Sequence, residues 1–287
     1  AHSMLGTKVT LIEAFKMMPR DNQELVTLLK NKFTEQGIVL HESVNIKKVF
    51  EAENQTKLLL EIKGKQQTLT GSHLLVAAGR KANIEGLNLT EAGVKTFERG
   101  IIVNSKLKSS NKRIFAMGDA AGAYQFTHIA SYHAGIIIRN ALFHLPAKVN
   151  YTAVPWVTYT NPELAHVGMT EEEAKKYDVN FRVLSWPFEE NDRAQAEHDT
   201  AGKIKVFVSK KGRILGASIL GAHAGELLTP WILAIQKKMK IGDMAGIIIP
   251  YPTLSEINKR VAGSYFTKLL FSNKTKRIVA FLNKIIP

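Results

Sequence analysis

The sequence predicts an α/β portion followed by an α+β portion, and three observations carry that reading. A β-rich apolar run, Thr7 to Phe15, ends on an acid and is followed by a helical pattern and then by short strand patterns. Beyond the composition shift at Asn150 to Pro155, strand and helix patterns mix without strict alternation. The 287 residues are ample for two domains.

Each element follows from its own residues. "TKVTLIEAF" reads as a buried strand with Glu13 at its end. "DNQELVTLLKNKFTEQG" predicts a helix, with Asp21 as N-cap, Glu24 three residues on, an apolar stripe of Leu25, Leu28, Leu29 and Phe33, and Gly37 as the stop. The stretch from Ile38 to Arg80 alternates short strands with polar turns and returns to a predicted buried strand, Leu74 to Ala78. Strand, helix and further strands make up half of a dinucleotide-binding domain. Loops follow, with one short strand predicted around Ile101 to Val103.

The run "IFAMGDAAGAY" predicts a buried strand stopping at Gly118-Asp119, then residues almost without side chains. A carboxylate there can accept hydrogen bonds from ligand hydroxyls, while small neighbours let a ligand approach the backbone. "HIASYHAGIIIRNALF" predicts a helix, "KIKVFVSKKGRILGASILG" a hairpin turning at Lys-Lys-Gly, and "TPWILAIQKKM" another helix. In the tail, Ile278, Phe281, Leu282, Ile285 and Ile286 fall on one helical face, with Lys274, Arg277 and Lys284 among the flanking cations.

Composition excludes several functions. Net charge is +14, but the lysines are dispersed with no basic run, so no nucleic-acid role is predicted. The absence of cysteine excludes disulfides, thiolate zinc sites and Cys nucleophiles. His223 and Glu226 lack a third ligand, so no metal site is predicted; His128 and His133 read as core or helix-face histidines and Trp156 as packing. Asp192 and Arg193 receive no role. Neither a signal peptide nor a bilayer-spanning run is visible. A cytoplasmic location is expected, with membrane-surface association through the tail left open.

"NKRIFAMGDAAG" resembles the second FAD-binding motif of the pyridine nucleotide–disulfide oxidoreductases, the family of dihydrolipoamide dehydrogenase, glutathione reductase and mercuric reductase. Other stretches resemble family landmarks in order. "LLVAAGRKAN" carries Gly79 and Arg80, "TKVTLIE" carries Glu13, and "FTHIASYHAG" carries Phe126, Thr127 and His128. "VPWVTYTNPELAHVGMTEEEAKK" resembles the opening of the interface domain and "PYPTLSEINKRV" its closing signature.

The resemblance implies a partial NAD-binding domain over 1–80 and a second segment of a Rossmann-like FAD-binding domain over 81–150. A complete α+β interface domain with the basic tail would cover 151–287. Asp119 would bind the flavin ribityl hydroxyl, with Gly118, Gly79, Arg80, Phe126, Thr127 and His128 beside the cofactor. Glu13 would bind the adenosine ribose and favour NADH over NADPH. A homodimer is implied, with Tyr251 and Glu256 entering the neighbouring subunit's active site.

Three departures shape the expectation. The Gly-rich loops and the Cys-x4-Cys of the family are not in this sequence, so it is expected to be a C-terminal portion. The family's HPTxxE signature reads Tyr251-Pro252-Thr253-Leu254-Ser255-Glu256, with Pro250 and Pro252 stiffening the turn. A tyrosine, with an ordinary pKa of about 10, is a poor base at neutral pH. Third, the tail runs on as an amphipathic helix, docked on its own dimer or lying on an anionic membrane. The alternative to the oxidoreductase is a non-catalytic dimerisation fragment without cofactor.

Overall fold

A computed structural model describes residues 1–122 and 124–285, so the Ile286 assigned to the tail stripe lies outside the described residues. Two compact units emerge: Ala1–His73 with Thr152–Pro287, and Leu74–Tyr151.

The first unit begins with strand β1 (Thr10–Glu13), helix α1 (Gln23–Glu35) and strand β2 (Val39–Glu42). The strands pair in parallel, Thr10 opposite Val39 and Glu13 opposite Glu42, with α1 as the crossover. Leu25, Leu29 and Phe33 of the expected stripe of α1 are buried, with Val26 in the place expected for the partly buried Leu28, and Gly37 ends the helix at φ +77°. Asn22, not Asp21, caps the helix, its side chain accepting the Leu25 N–H. The buried Asp21 carboxylate is taken instead by the Trp156 indole N–H at 2.8 Å, a partner 135 residues away. An antiparallel sheet follows, built of β3 (Val44–Ala52), β4 (Gln55–Ile62) and β5 (Lys65–Gly71). Glu53 and Asn54, then Lys63 and Gly64, take positive φ in the two tight turns, the geometry that matches strand twist.

In the second unit, Leu74 to Ala78 is not a buried strand: no ladder forms, and Leu75 and Val76 are 76% and 74% exposed. Such a run is stable as a strand only between partners, and no described strand lies beside it. Strands β6 (Thr96–Phe97) and β7 (Gly100–Ile101) form a minimal hairpin, shorter than the predicted strand to Val103. Among the described residues the Ile114 to Met117 run likewise makes one bridge, Phe115 to Lys108, before a 3₁₀ turn over Gly118–Ala121. Helix α2 (Thr127–Ala141) buries Ile129, His133 and Ile136 on one face.

The first unit resumes with a five-stranded antiparallel sheet in the order β10-β11-β12-β9-β8. Its strands are β8 (Pro155–Thr158), β9 (Glu163–Gly168), β10 (Phe181–Pro187), β11 (Lys203–Ser209) and β12 (Ile214–Gly221). The β11–β12 hairpin turns at Gly212, φ +77°, as the Lys-Lys-Gly predicts. Helices α3 (Glu171–Lys176), α4 (Asp192–Glu197), α5 (Ala224–Leu227), α6 (Thr229–Gln236), α7 (Ile241–Ala245) and α8 (Glu256–Leu270) surround it. Trp231, Phe188, Ile204 and Ile219 are fully buried in the core they share.

Leu164 and Leu220 of this sheet pack into the α1 cluster, and a charged network seals the seam. Lys205, only 6% exposed, donates to Glu24 at 2.7 Å, and Lys203 donates to the same carboxylate at 2.8 Å. The two lysine hydrogen bonds lower the Glu24 pKa to about 2. Helix α9 (Asn273–Ile285) is the last described element and buries none of its residues.

Candidate functional site

The Gly118–Asp119 turn is held by packing that only small residues permit. Gly118 sits at φ +56°, and a Cβ there would lie 2.9 Å from the Ala130 Cβ of α2. Gly122 closes the turn at φ +71°, its N–H donating to the Asp119 carbonyl at 3.0 Å; a Cβ there would strike the Phe97 ring. The Asp119 carboxylate is half-buried and has no hydrogen-bond or ion partner among the described residues. A half-buried carboxylate without partners keeps its acceptor capacity for a ligand hydroxyl.

Neighbouring segments of the same unit carry the other predicted residues. Gly79 takes φ +114°, and the Arg80 guanidinium donates to the Gln125 carbonyl at 2.6 Å. That bond ties the Gly79–Arg80 segment to the residue before Phe126. The Phe126 ring stacks on His128 at 5.1 Å and 11°, and Thr127 opens α2. One unit thus carries an unpaired carboxylate, glycine backbone at positive φ and a pair of stacked rings.

In the first unit, Glu13 ends β1 and its carboxylate accepts the Phe15 N–H at 2.9 Å, which orients it at the carboxyl end of the strand. In an α/β sheet that end is where nucleotides bind. Opposite it in register, Glu42 accepts the Met17 N–H and pairs with Lys30, so its charge is already used.

Tyr251 and Glu256 lie on the turn into α8. Asn191 caps α4 by accepting the Ala194 N–H at 3.0 Å and donates to the Thr253 carbonyl at 3.2 Å, which fixes that turn. Tyr251, 67% exposed, donates its phenol proton to Asp192 at 2.9 Å. The Asp192 hydrogen bond first, then the Asp192 charge, burial and the Glu256 charge, push the Tyr251 pKa up. The phenol therefore stays protonated at neutral pH and serves as a polar contact rather than a base. Asp192 escaped assignment from sequence because its partner is 59 residues away. Replacing Asp192 by Asn is expected to bring Tyr251 back down toward the ordinary tyrosine pKa. Spectrophotometric titration of wild type, Asp192→Asn and Tyr251→Phe reads this; a tyrosine titration unmoved by Asp192→Asn contradicts it.

A family model described as pyridine nucleotide-disulphide oxidoreductase matches residues 1–134, and the family's dimerisation-domain model matches residues 154–262. Mercuric reductase from Staphylococcus aureus is 37% identical over 257 residues, covering 88% of this chain and 47% of that protein. Dihydrolipoyl dehydrogenase from Geobacillus stearothermophilus is 33% identical over 265 residues, 91% of this chain and 56% of that protein. Among solved structures, the HOCl-induced flavoprotein disulfide reductase RclA from Escherichia coli superposes with a TM-score of 0.83 at 26% identity. That match covers 91% of this chain and 60% of that one.

The chain thus spans about half the length of the curated relatives it matches. Dimerisation is a property of the family through this second domain. None of these similarities supports membrane contact by the tail, and no helix among the described residues is long and apolar enough to cross a bilayer. With two domain models of one family matched in sequence order, the chain belongs to the pyridine nucleotide–disulphide oxidoreductase family.

Proposed function

We propose that the chain forms the C-terminal portion of an FAD-dependent NAD(P)H oxidoreductase, which passes electrons from NADH through flavin to an acceptor, in the manner of a mercuric reductase or a dihydrolipoamide dehydrogenase. The observation that carries this is the Asp119 carboxylate, unpartnered on a turn whose glycines admit no side chain. In this reading residues 1–80 belong to the NAD-binding domain, 81–150 to the FAD-binding domain and 151–287 to the interface domain. Asp119 accepts from the ribityl hydroxyls, and Gly118 exposes backbone to the same chain. Gly79, Arg80, Phe126, Thr127 and His128 shape the surrounding wall. Flavin, when bound, supplies the relay between a two-electron hydride donor and the acceptor.

Glu13 accepts hydrogen bonds from the adenosine ribose and selects against a 2′-phosphate. Like charges about 4 Å apart repel by about 1–4 kcal/mol between bulk water and a protein surface. The interface domain forms a two-fold homodimer and presents Tyr251 and Glu256 to the neighbouring subunit's site. With its proton held by Asp192, Tyr251 orients the acceptor there and moves no proton. The rival reading, a dimerisation module without cofactor, differs in one measurable respect. Stopped-flow mixing of the FAD-treated protein with NADH is expected to bleach its visible flavin band, about tenfold faster than NADPH does. No bleaching by either nucleotide overturns the oxidoreductase reading, and faster bleaching by NADPH overturns the role of Glu13.

A further inference from the structure

His133 is a histidine with a buried job that the family resemblance does not give it. It is fully buried on the inner face of α2, one turn on from Ile129 and just before Ile136. Its Nδ1 lies 3.0 Å from the backbone nitrogen of Gly118, and its Nε2 lies 2.8 Å from the Tyr151 hydroxyl. A backbone N–H can only donate, so the Nδ1 it meets carries the lone pair. Nε2 therefore carries the ring hydrogen and donates it to Tyr151. The geometry leaves one tautomer.

The turn depends on this acceptor. Gly118 is in the left-handed region, with Ala130 filling the space where a Cβ would sit. Its N–H points inward, where water cannot replace a lost partner. That N–H belongs to the Met117–Gly118 peptide and Asp119 is the next residue, so fixing this peptide while Gly118 holds φ +56° sets the direction in which the carboxylate leaves the turn. We propose that His133 is the positioning residue of the Gly118–Asp119 turn, its neutral Nδ1 fixing the peptide that aims Asp119 at a bound flavin. This rests on the flavin reading of Asp119 given above.

Protonation would set an Nδ1–H against the Gly118 N–H and remove the acceptor. The groups facing the imidazole are Tyr151, the Tyr132 ring at 6.1 Å and the Gly118 N–H, with Tyr124 beyond Tyr151. Burial pushes the imidazole pKa down, and no charged side chain is among its causes. The neutral form is thus the resting form near pH 7.

The test uses the full 287-residue chain and FAD as the probe. Nitrogen-15 spectra of the histidines at pH 7 are expected to show His133 with a bare Nδ1 and a protonated Nε2; the opposite tautomer overturns the proposal whether or not FAD binds. Equilibrium titration is expected to show FAD binding about tenfold weaker in His133→Leu, which leaves the Gly118 N–H buried without an acceptor. His133→Asn, whose Oδ1 can take the place of Nδ1, restores binding. Wild-type affinity falls as the pH drops into the range where His133 takes up its proton, and His133→Asn removes that dependence. Equal affinity in His133→Leu, or a pH profile unchanged in His133→Asn, contradicts the role. If His133→Leu does not fold, the Asn variant and its pH profile decide. Failure of wild type to take up FAD at all refutes the flavin reading instead, and the tautomer result still stands.

Discussion

Replacing Trp231 by Ala is expected to destabilise the first unit by about 4 kcal/mol, the range for emptying a fully buried aromatic site. Trp231 has no exposed surface and lies at the centre of the cluster joining the five-stranded sheet to α6 and α8. Its indole N–H donates to the Asn258 side chain at 2.7 Å, and Asn258 in turn donates to the Leu227 carbonyl at 3.1 Å. Truncation leaves a cavity and also strips the buried Asn258 of its donor, so two costs add. Trp231→Phe keeps most of the volume and isolates the polar part, at about 1–3 kcal/mol. Urea unfolding curves of the three proteins measure both. A loss below about 1 kcal/mol for Trp231→Ala would mean that this core can collapse around the gap.

Acid is expected to remove about 3 kcal/mol of stability through a single histidine, His166. Its ring is 1% exposed, hydrogen-bonded to Ser218 at 2.7 Å and the Gly168 carbonyl at 3.1 Å, and packed 4.3 Å from the Trp156 ring. The carbonyl can only accept, so Nε2–H donates to it and Nδ1 accepts from Ser218; the neutral ring is fully satisfied. Burial pulls its pKa down from 6.5 to about 4. The unfolded chain therefore takes up a proton before the folded one does. The stability is complete above pH 6.5 and is lost as the pH falls through that value toward about 4. Asp21 works the other way at the acid end, because burial raises its carboxyl pKa and proton uptake there favours the folded form. The slope of unfolding free energy against pH in this window should flatten in His166→Gln. An identical slope in both proteins would place the acid sensitivity elsewhere.

Much of the fold was legible where a periodic pattern is satisfied by local or adjacent partners. Helix α1 and the Lys-Lys-Gly hairpin follow directly from residue spacing, whereas the apolar face of α9 meets no partner and none of its residues is buried. Leu74 to Ala78 misled because an apolar run specifies burial only when strands exist to flank it, and no residue within the run reveals that. Asp21 misled for a similar reason. Asp and Asn cap equally well by type, and a distant indole decided between them. At the candidate site, Gly118 and Asp119 stood out because the surrounding motif resembles one of the family, not because of the Gly-Asp pair alone, which many turns share. Asp192, His133 and Tyr151 did not, because each acts through a partner 15 to 59 residues away.

In the proposed reading the Gly118–Asp119 turn holds the ribityl chain of a flavin. Equilibrium titration of the 287-residue chain with FAD, followed by visible absorption and by quenching of flavin fluorescence, tests it most directly. Saturable uptake is expected for wild type, weakened at least about tenfold in Asp119→Ala by loss of a charge-assisted hydrogen bond, with unchanged circular dichroism. Superimposable curves for the two proteins, or no uptake by wild type, would contradict it.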